Sequence, residues 1–397
     1  LNAAPANDVV TDLLVAGGGV AGVAAALAAA RRGCRVTLVE REEVLGGTAT
    51  LGMLGTICGL YPNGGPEPGE LLNGGICAEI VAALSGRSAG SVPCKVGKVF
   101  VLPYDPRHLQ ELLTELCSRE PTLTLGTGTL LTGAECTGGR VGKVTVRHRG
   151  EELTLHPRAV VDATGDGELA ALAGAEFDLS PPGERQLAGL TVLLDHVGAD
   201  DALGIRVPFV VARGIDAGIL PELYRYTTFT RGMNPGEGAL KVSLPAATGS
   251  TPDEVLSLAT KLVGFLSREL AALATATIRF APTRIFDREG RRVAGDYRLT
   301  ADDILAGRKF SDGVVRGAWP MELWGPLRGA SYRYPPDNDY YEIPLRCLKA
   351  RDFTNLFTAG RCISVSHEAL GSTRVIGCCI PLGEQAGLAA ARLCSEA

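Results

Sequence analysis

Hydrophobic periodicity changes twice within the first forty residues. Val9 to Ala16 reads as a buried strand, Gly17 to Gly22 as a turn, Val23 to Arg32 as an alanine-rich helix and Cys34 to Glu40 as a second strand. Together they make a βαβ unit. From 46 to 100 the period fades and glycine and proline accumulate (Gly46, Gly47, Gly64, Gly65, Pro66, Pro68, Gly69, Gly74, Gly75), so a functional loop is expected there, with one helix near Cys77 to Leu84. Pro106 then opens a helix whose Leu109, Leu112, Leu113, Leu116 and Cys117 fall on one face, which reads as core.

Between Leu123 and Val161 short β-rich runs alternate with turn signals at Thr137-Gly138-Gly139 and Arg149-Gly150. A small antiparallel meander ending in the strand Ala159 to Ala163 is expected. From about 180 to 342 the composition shifts: this stretch holds both tryptophans, most of the tyrosines and a long helix predicted from Pro252 to Leu273. After Tyr341 the pattern returns to a buried strand, Leu356 to Ala359, and a final helix from about Cys379. The expected division is 1–182, an inserted lobe at 183–342, and 343–397 returning to the first domain.

Composition narrows the class. Of 397 residues 46% are hydrophobic and 21% charged, which excludes disordered and fibrous chains. The 51 glycines follow no three-residue period and belong to turns and close approaches. With 39 Lys and Arg against 44 Asp and Glu the net charge is −5, which argues against nucleic acid or anionic membrane and for a small-molecule substrate. The 11 cysteines form no CxxC, which suits a reducing, cytoplasmic setting, and the 5 histidines form no ligand pair, so no metal site is expected. Leu13 to Ala30 is an apolar run at the lower limit for a membrane span. Its three successive glycines fit strand, turn and helix better than one helix, and the preceding Asp8 and Asp12 oppose a signal peptide.

Gly17, Gly19 and Gly22 give GxGxxG between a strand and a helix. The first allows the tight turn, the second the approach of a diphosphate to the backbone, and the third the packing of helix on strand. Glu40 closes the second strand, eighteen residues beyond Gly22, where a carboxylate accepts hydrogen bonds from an adenosine ribose. Gly46-Gly47-Thr48 follows at once and would bring a second loop against the diphosphate and a flavin. A simple nicotinamide dehydrogenase does not need that loop.

At this point the chain resembles flavoproteins of the glutathione reductase type. Val160-Val161-Asp162-Ala163-Thr164-Gly165-Asp166-Gly167 is similar to the strand end of that fold that passes the cofactor a second time. Arg291 to Asp303, Asn355 to Ser364, Gly371 to Val375 and Leu382 to Gly387 resemble one group within it, the FAD-dependent oxidoreductases distantly related to fumarate reductase flavoproteins. The resemblance implies an α/β fold, a Rossmann-like FAD-binding domain with an inserted α+β substrate lobe, and FAD as cofactor. It further implies cofactor contacts from Ala163, Gly165, Gly360, Arg361 and Ala386. Arg361 departs from the pattern, since many such proteins place Asp there to bind the ribitol. Pro381 suits a first helical turn, and a helix N-terminus preceding Ala386 would direct N–H groups toward the flavin pyrimidine ring.

His367, between the Gly360 strand and Arg374, is a candidate proton donor, against a structural hydrogen bond. Arg374 is a candidate for binding a carboxylate-bearing substrate or the anionic reduced flavin, against a salt bridge to Glu368 or Glu384. The Cys378-Cys379 pair, Cys58, Cys77 and Cys362 read as packing residues. Arg288, Arg291 and Arg292 read as a solvated turn, with Arg292 alone a minor candidate for a substrate pocket. The function expected is hydride transfer between a small organic substrate and flavin N5, with an external electron carrier. The alternatives are a non-catalytic flavin-binding electron-transfer subunit, an NAD-dependent synthase on a similar fold, and a redox-neutral lyase or hydratase.

Overall fold

A computed structural model describes residues 8–88, 90–246, 251–327 and 329–395. The apolar run at the start becomes the strand Asp8–Ala16, a glycine turn and the helix Val20–Ala30, every residue of which is buried. A helix apolar all round must be enclosed on all sides. The sheet covers one side and the C-terminal helix Ile376–Ser395 another. Among the described residues no helix is long and apolar enough to cross a membrane.

The main sheet has seven strands. Leu123–Gly126, Val36–Val39, Asp8–Ala16 and Glu151–Asp162 run parallel in that order, and Arg140–His148 and Thr129–Thr137 continue it as an antiparallel hairpin. Leu123–Gly126 is therefore a parallel neighbour of Val36–Val39 rather than the first strand of the expected meander. Four residues without strict alternation gave no sign of that partner. The long strand Glu151–Asp162 changes neighbours along its length. Its first half pairs with Arg140–His148, while Val160 to Asp162 pair in parallel with Leu356–Thr358. Buried Asn355 sits at the split, its Nδ2 donating to Val141 O and Arg158 O and its Oδ1 accepting from Val141 N. The two chain ends thus share one sheet.

A second, four-stranded antiparallel sheet is ordered Tyr226–Arg231, Gly238–Leu244, Ala188–Asp195, Thr277–Phe280. The helices Leu203–Asp216 and Pro252–Glu269 cover one of its faces, and this layer has its own apolar core within residues 188–285. Thr251 caps the second helix through a complete capping box with Glu254. Farther on, Leu299, Ile304, Val315, Met321 and Tyr341 pack into the first core. The result is an α/β molecule in which a mainly parallel sheet carries the glycine turn and an antiparallel sheet has a core of its own.

Candidate active site

The strands Asp8–Ala16, Val36–Val39, Glu151–Asp162 and Leu356–Thr358 are parallel, so the loops that follow them emerge at one edge, where ligands bind in open α/β sheets. Gly17, Glu40, Ala163 and Gly360 are those loops. Gly17 has φ +99°, and a Cβ there would come within 2.5 Å of Ala163 O. A side chain on Gly22 would overlap Gly17 O, so helix and strand close only because this residue is glycine. Gly19 is different: nothing lies within 4 Å of its missing Cβ. The middle glycine keeps space for a ligand, while the outer two let the chain fold.

The Gly46-Gly47 loop docks onto this turn, with Gly46 N donating to Gly18 O at 2.8 Å and a bridge between Gly19 and Gly46. Thr48 begins the short helix Thr48–Leu51 directly behind it. Glu40 is 7% exposed; its Oε2 accepts from Gly18 N at 2.5 Å and its Oε1 from Glu42 N at 2.9 Å. The carboxylate is thereby fixed beside the turn, at the wall of a cleft lined also by Gly17, Arg41, Thr129 and Thr164. Gly165 and Arg361 meet directly, Nε of Arg361 donating to Gly165 O at 2.7 Å while Nη1 reaches Asp287 O. Arg361 therefore ties the loops at Gly165 and Gly360 to the segment at Asp287.

Two expectations are corrected here. The terminal helix starts at Ile376, so Pro381 is its sixth residue instead of lying in its first turn. Ala386 is the eleventh residue of that helix and fully buried in the core, so it serves packing, and the helix N-terminus lies just under one turn earlier than expected. Pattern reading placed the start late because a proline inside a helix normally marks its beginning. On the same helix, side chains at Gly383 and Gly387 would overlap Ala21 O and Ala25 O, which explains the small residues at this crossing.

His367 opens the seven-residue helix His367–Thr373, capped by Ser366. Its Nδ1 lies 3.0 Å from Glu289 Oε1 and 3.2 Å from Ser180 Oγ. The Glu289 side chain is fully buried and also pairs with Arg292 Nη1 at 2.6 Å. Burial would raise the Glu289 pKa, but hydrogen bonds from His367 and Ser180 outweigh it and hold the carboxyl down to about 2. The same hydrogen bond raises the His367 pKa against the opposing effect of burial. Arg292 is thus committed to Glu289, which removes it as a pocket candidate.

Arg374 follows the same short helix. It pairs with neither Glu368 nor Glu384; Nη2 donates to Glu322 O at 3.2 Å and contacts Gln186 Oε1 at 3.5 Å, and its buried Nε has no partner. Burial lowers its pKa. Of the arginine turn, Arg291 does pair at the surface with Asp166, whereas Arg288 runs inward, with its Nη1 donating to Leu187 O and Ala188 O. Sequence reading missed Ser180, Gln186, Lys241, Arg288, Glu289 and Glu322. The only local signal among them is a lysine flanked by Leu240 and Val242.

A glycine turn at the carboxyl edge of a parallel sheet, an acid on the next strand and a second glycine loop docked on the first define a dinucleotide-binding enzyme of the flavoprotein class. Residues 12–397 match the model of the family of FAD dependent oxidoreductases, and the chain belongs to that family, with FAD as its cofactor. The residues present fit FAD: open space at Gly19, a fixed carboxylate at Glu40 and a second glycine loop at Gly46. A curated relative, 6-methylpretetramide 4-monooxygenase of Streptomyces rimosus, is 33% identical over 186 residues, 44% of this chain and 43% of that enzyme. The match therefore spans less than half of the relative's length. Solved structures with similarity include a geranylgeranyl bacteriochlorophyll reductase-like protein from Thermoplasma acidophilum, at 13% identity, TM-score 0.48, and coverage of 98% of this chain and 79% of that one. OxyS anhydrotetracycline hydroxylase from Streptomyces rimosus aligns at 13% identity and TM-score 0.46, over 73% of this chain and 55% of its own.

Proposed function

We propose that this enzyme transfers a hydride between a carbon of a small organic substrate and N5 of FAD. FAD, when bound, supplies the hydride chemistry. Arg374 orients the polar group of the substrate, His367 moves the companion proton at Nε2, and an external carrier serves the second half-reaction. The observation that carries this reading is the short helix His367–Thr373, which sets an oriented imidazole at its start and a buried guanidinium with an unpartnered Nε just past its end. Seven residues set the two groups about 10 Å apart along the helix axis. The division at 182 and 342 belongs to the same proposal, supported by the separate core of residues 188–285. So does a distant kinship with fumarate reductase flavoproteins, which rests on the segments quoted for the resemblance.

A second reading, hydroxylation, is favoured by the 33% identical stretch shared with a monooxygenase. The two differ in what reduces the flavin. Anaerobic mixing of holoenzyme with a panel of small alcohols, hydroxy acids and amines is expected to bleach the flavin without any pyridine nucleotide. If only NADPH bleaches it, and oxygen uptake then depends on an aromatic compound, hydroxylation replaces hydride transfer from substrate. Reduction by a protein partner alone would make the chain an electron-transfer subunit.

A further inference from the structure

Lys241 lies in the middle of the strand Gly238–Leu244, paired on both sides, between Leu240 and Val242, which point into the core of the second sheet. Alternation sends Lys241 and Ser243 to the opposite face. Arg288 lies across that face: Nη2 donates to Ser243 Oγ at 3.0 Å, Nη1 to two carbonyls, and its plane sits 4.7 Å over the Trp324 ring. Arg374 comes from the other side and shares Gln186 Oε1 with Trp324 N.

The carboxylate whose charge acts on all three cations is Glu322, which already accepts from Trp324 Nε1 at 2.7 Å and Trp319 Nε1 at 3.3 Å. Arg288 stacked over Trp324, and the Gln186 amide between Trp324 N and Arg374, join the two sides. Among the described residues Lys241 Nζ has no hydrogen bond or ion pair, and the buried Arg374 Nε is unpartnered. Burial pushes the Arg288 pKa down to about 9 and lowers those of Lys241 and Arg374. Three positive charges against one carboxylate leave an excess of positive charge, and an arriving anion relieves its cost.

We infer that Lys241, Arg288 and Arg374 form the site for a carboxylate of the substrate, an inference that rests on the proposed hydride transfer only in calling the ligand a substrate. The fork of Arg288 is spent on two carbonyls and Ser243, which leaves Lys241 Nζ and the Arg374 guanidinium for the two oxygens of one carboxylate. The indoles of Trp319 and Trp324 offer apolar walls for the remaining carbon frame. Lys241 and Arg288 then determine specificity.

The test is equilibrium binding of benzoate and its neutral analogue benzamide to oxidised, FAD-loaded enzyme, followed by the visible flavin spectrum and tryptophan fluorescence. Benzoate is expected to saturate and to bind at least tenfold tighter than benzamide. Lys241→Met should weaken benzoate at least tenfold, with benzamide and flavin content unchanged. Glu322→Gln removes the competing negative charge and should tighten benzoate several-fold, a gain that a misfolded variant does not produce. Equal binding of the two probes, indifference to Lys241→Met, or equally tight inorganic phosphate would overturn the carboxylate site. Binding needs no turnover, so the readings fail separately. Benzoate bound as expected in an enzyme that no organic donor reduces sinks hydride transfer alone; flavin reduction by a neutral alcohol in an enzyme that ignores benzoate sinks the carboxylate site alone.

Discussion

At the scale of single residues, the behaviour of His367 is set by a carboxylate that never meets solvent. Glu289 takes hydrogen bonds from Ser180 and His367 and an ion pair from Arg292, so both titrations are displaced outward. The His367 pKa is raised, so its contribution to stability is complete below the ordinary value of 6.5 and is lost as pH rises through the higher folded value. The Glu289 pKa is lowered to about 2, so its contribution is complete above the ordinary 4.5 and is lost as pH falls toward 2. An NMR titration of His367 should show a pKa above 6.5 in the wild type and a fall to that value or below in Glu289→Gln. That variant should also cost about 3 kcal/mol in denaturant unfolding, because Arg292 is left buried without its partner. A His367 that titrates identically in both proteins would mean the pair does not form. Glu40 offers a second case, since its proposed role is toward the cofactor. Glu40→Ala should weaken FAD by roughly ten- to a hundredfold, the worth of about 1.5 to 3 kcal/mol for hydrogen bonds to a charged acceptor, as read by equilibrium titration of apoprotein with FAD.

At the scale of elements, the glycine turn separates what the fold needs from what the ligand needs. Gly22→Ala forces a methyl group into Gly17 O and should lower the melting temperature sharply, with FAD lost as a consequence. Gly19 has an extended backbone, φ −64° and ψ 174°, and open space around it, so Gly19→Ala should melt like wild type yet bind FAD at least tenfold more weakly. Equal FAD affinity in a stable Gly19→Ala protein would mean the diphosphate does not pass there. This unit was legible in the sequence because its parts lie within thirty residues and every distance is fixed by one strand, one turn and one helix. The strand Leu123–Gly126 was misread for the opposite reason. Its partner lies some ninety residues away, and four residues carry too little pattern to announce a parallel neighbour. Pro381 misled in a third way, because the crossing at Gly383 and Gly387 holds the terminal helix together through a proline that local rules place at its start. Packing against Val20–Ala30 overrides the local preference.

At the scale of the whole molecule, the proposed carboxylate site draws on segments far apart in the chain. Arg374 belongs to the C-terminal segment, Lys241 and Arg288 to the second sheet and its return, and Glu322 to the strand Met321–Gly325, against which the helix His367–Thr373 packs at Gly371. No spacing rule joins them, so Arg374 could be named from sequence while the residues around it could not. The structure removes the salt-bridge alternative to Glu368 or Glu384 and leaves Arg374 with a carbonyl, an amide oxygen and an unpartnered Nε. Arg374→Lys keeps the positive charge but loses the planar fork, so it cannot hold Glu322 O and Gln186 and still present a donor to a ligand. The variant should therefore retain FAD and its melting temperature while kcat/KM on an organic substrate falls by about a hundredfold, the loss of one charged hydrogen bond in the transition state being worth about 3 kcal/mol. FAD content, unfolding and turnover measured on the same preparation decide it. Full activity would show that Arg374 does not touch substrate, and joint loss of flavin and stability would show that it holds the two sheets together instead.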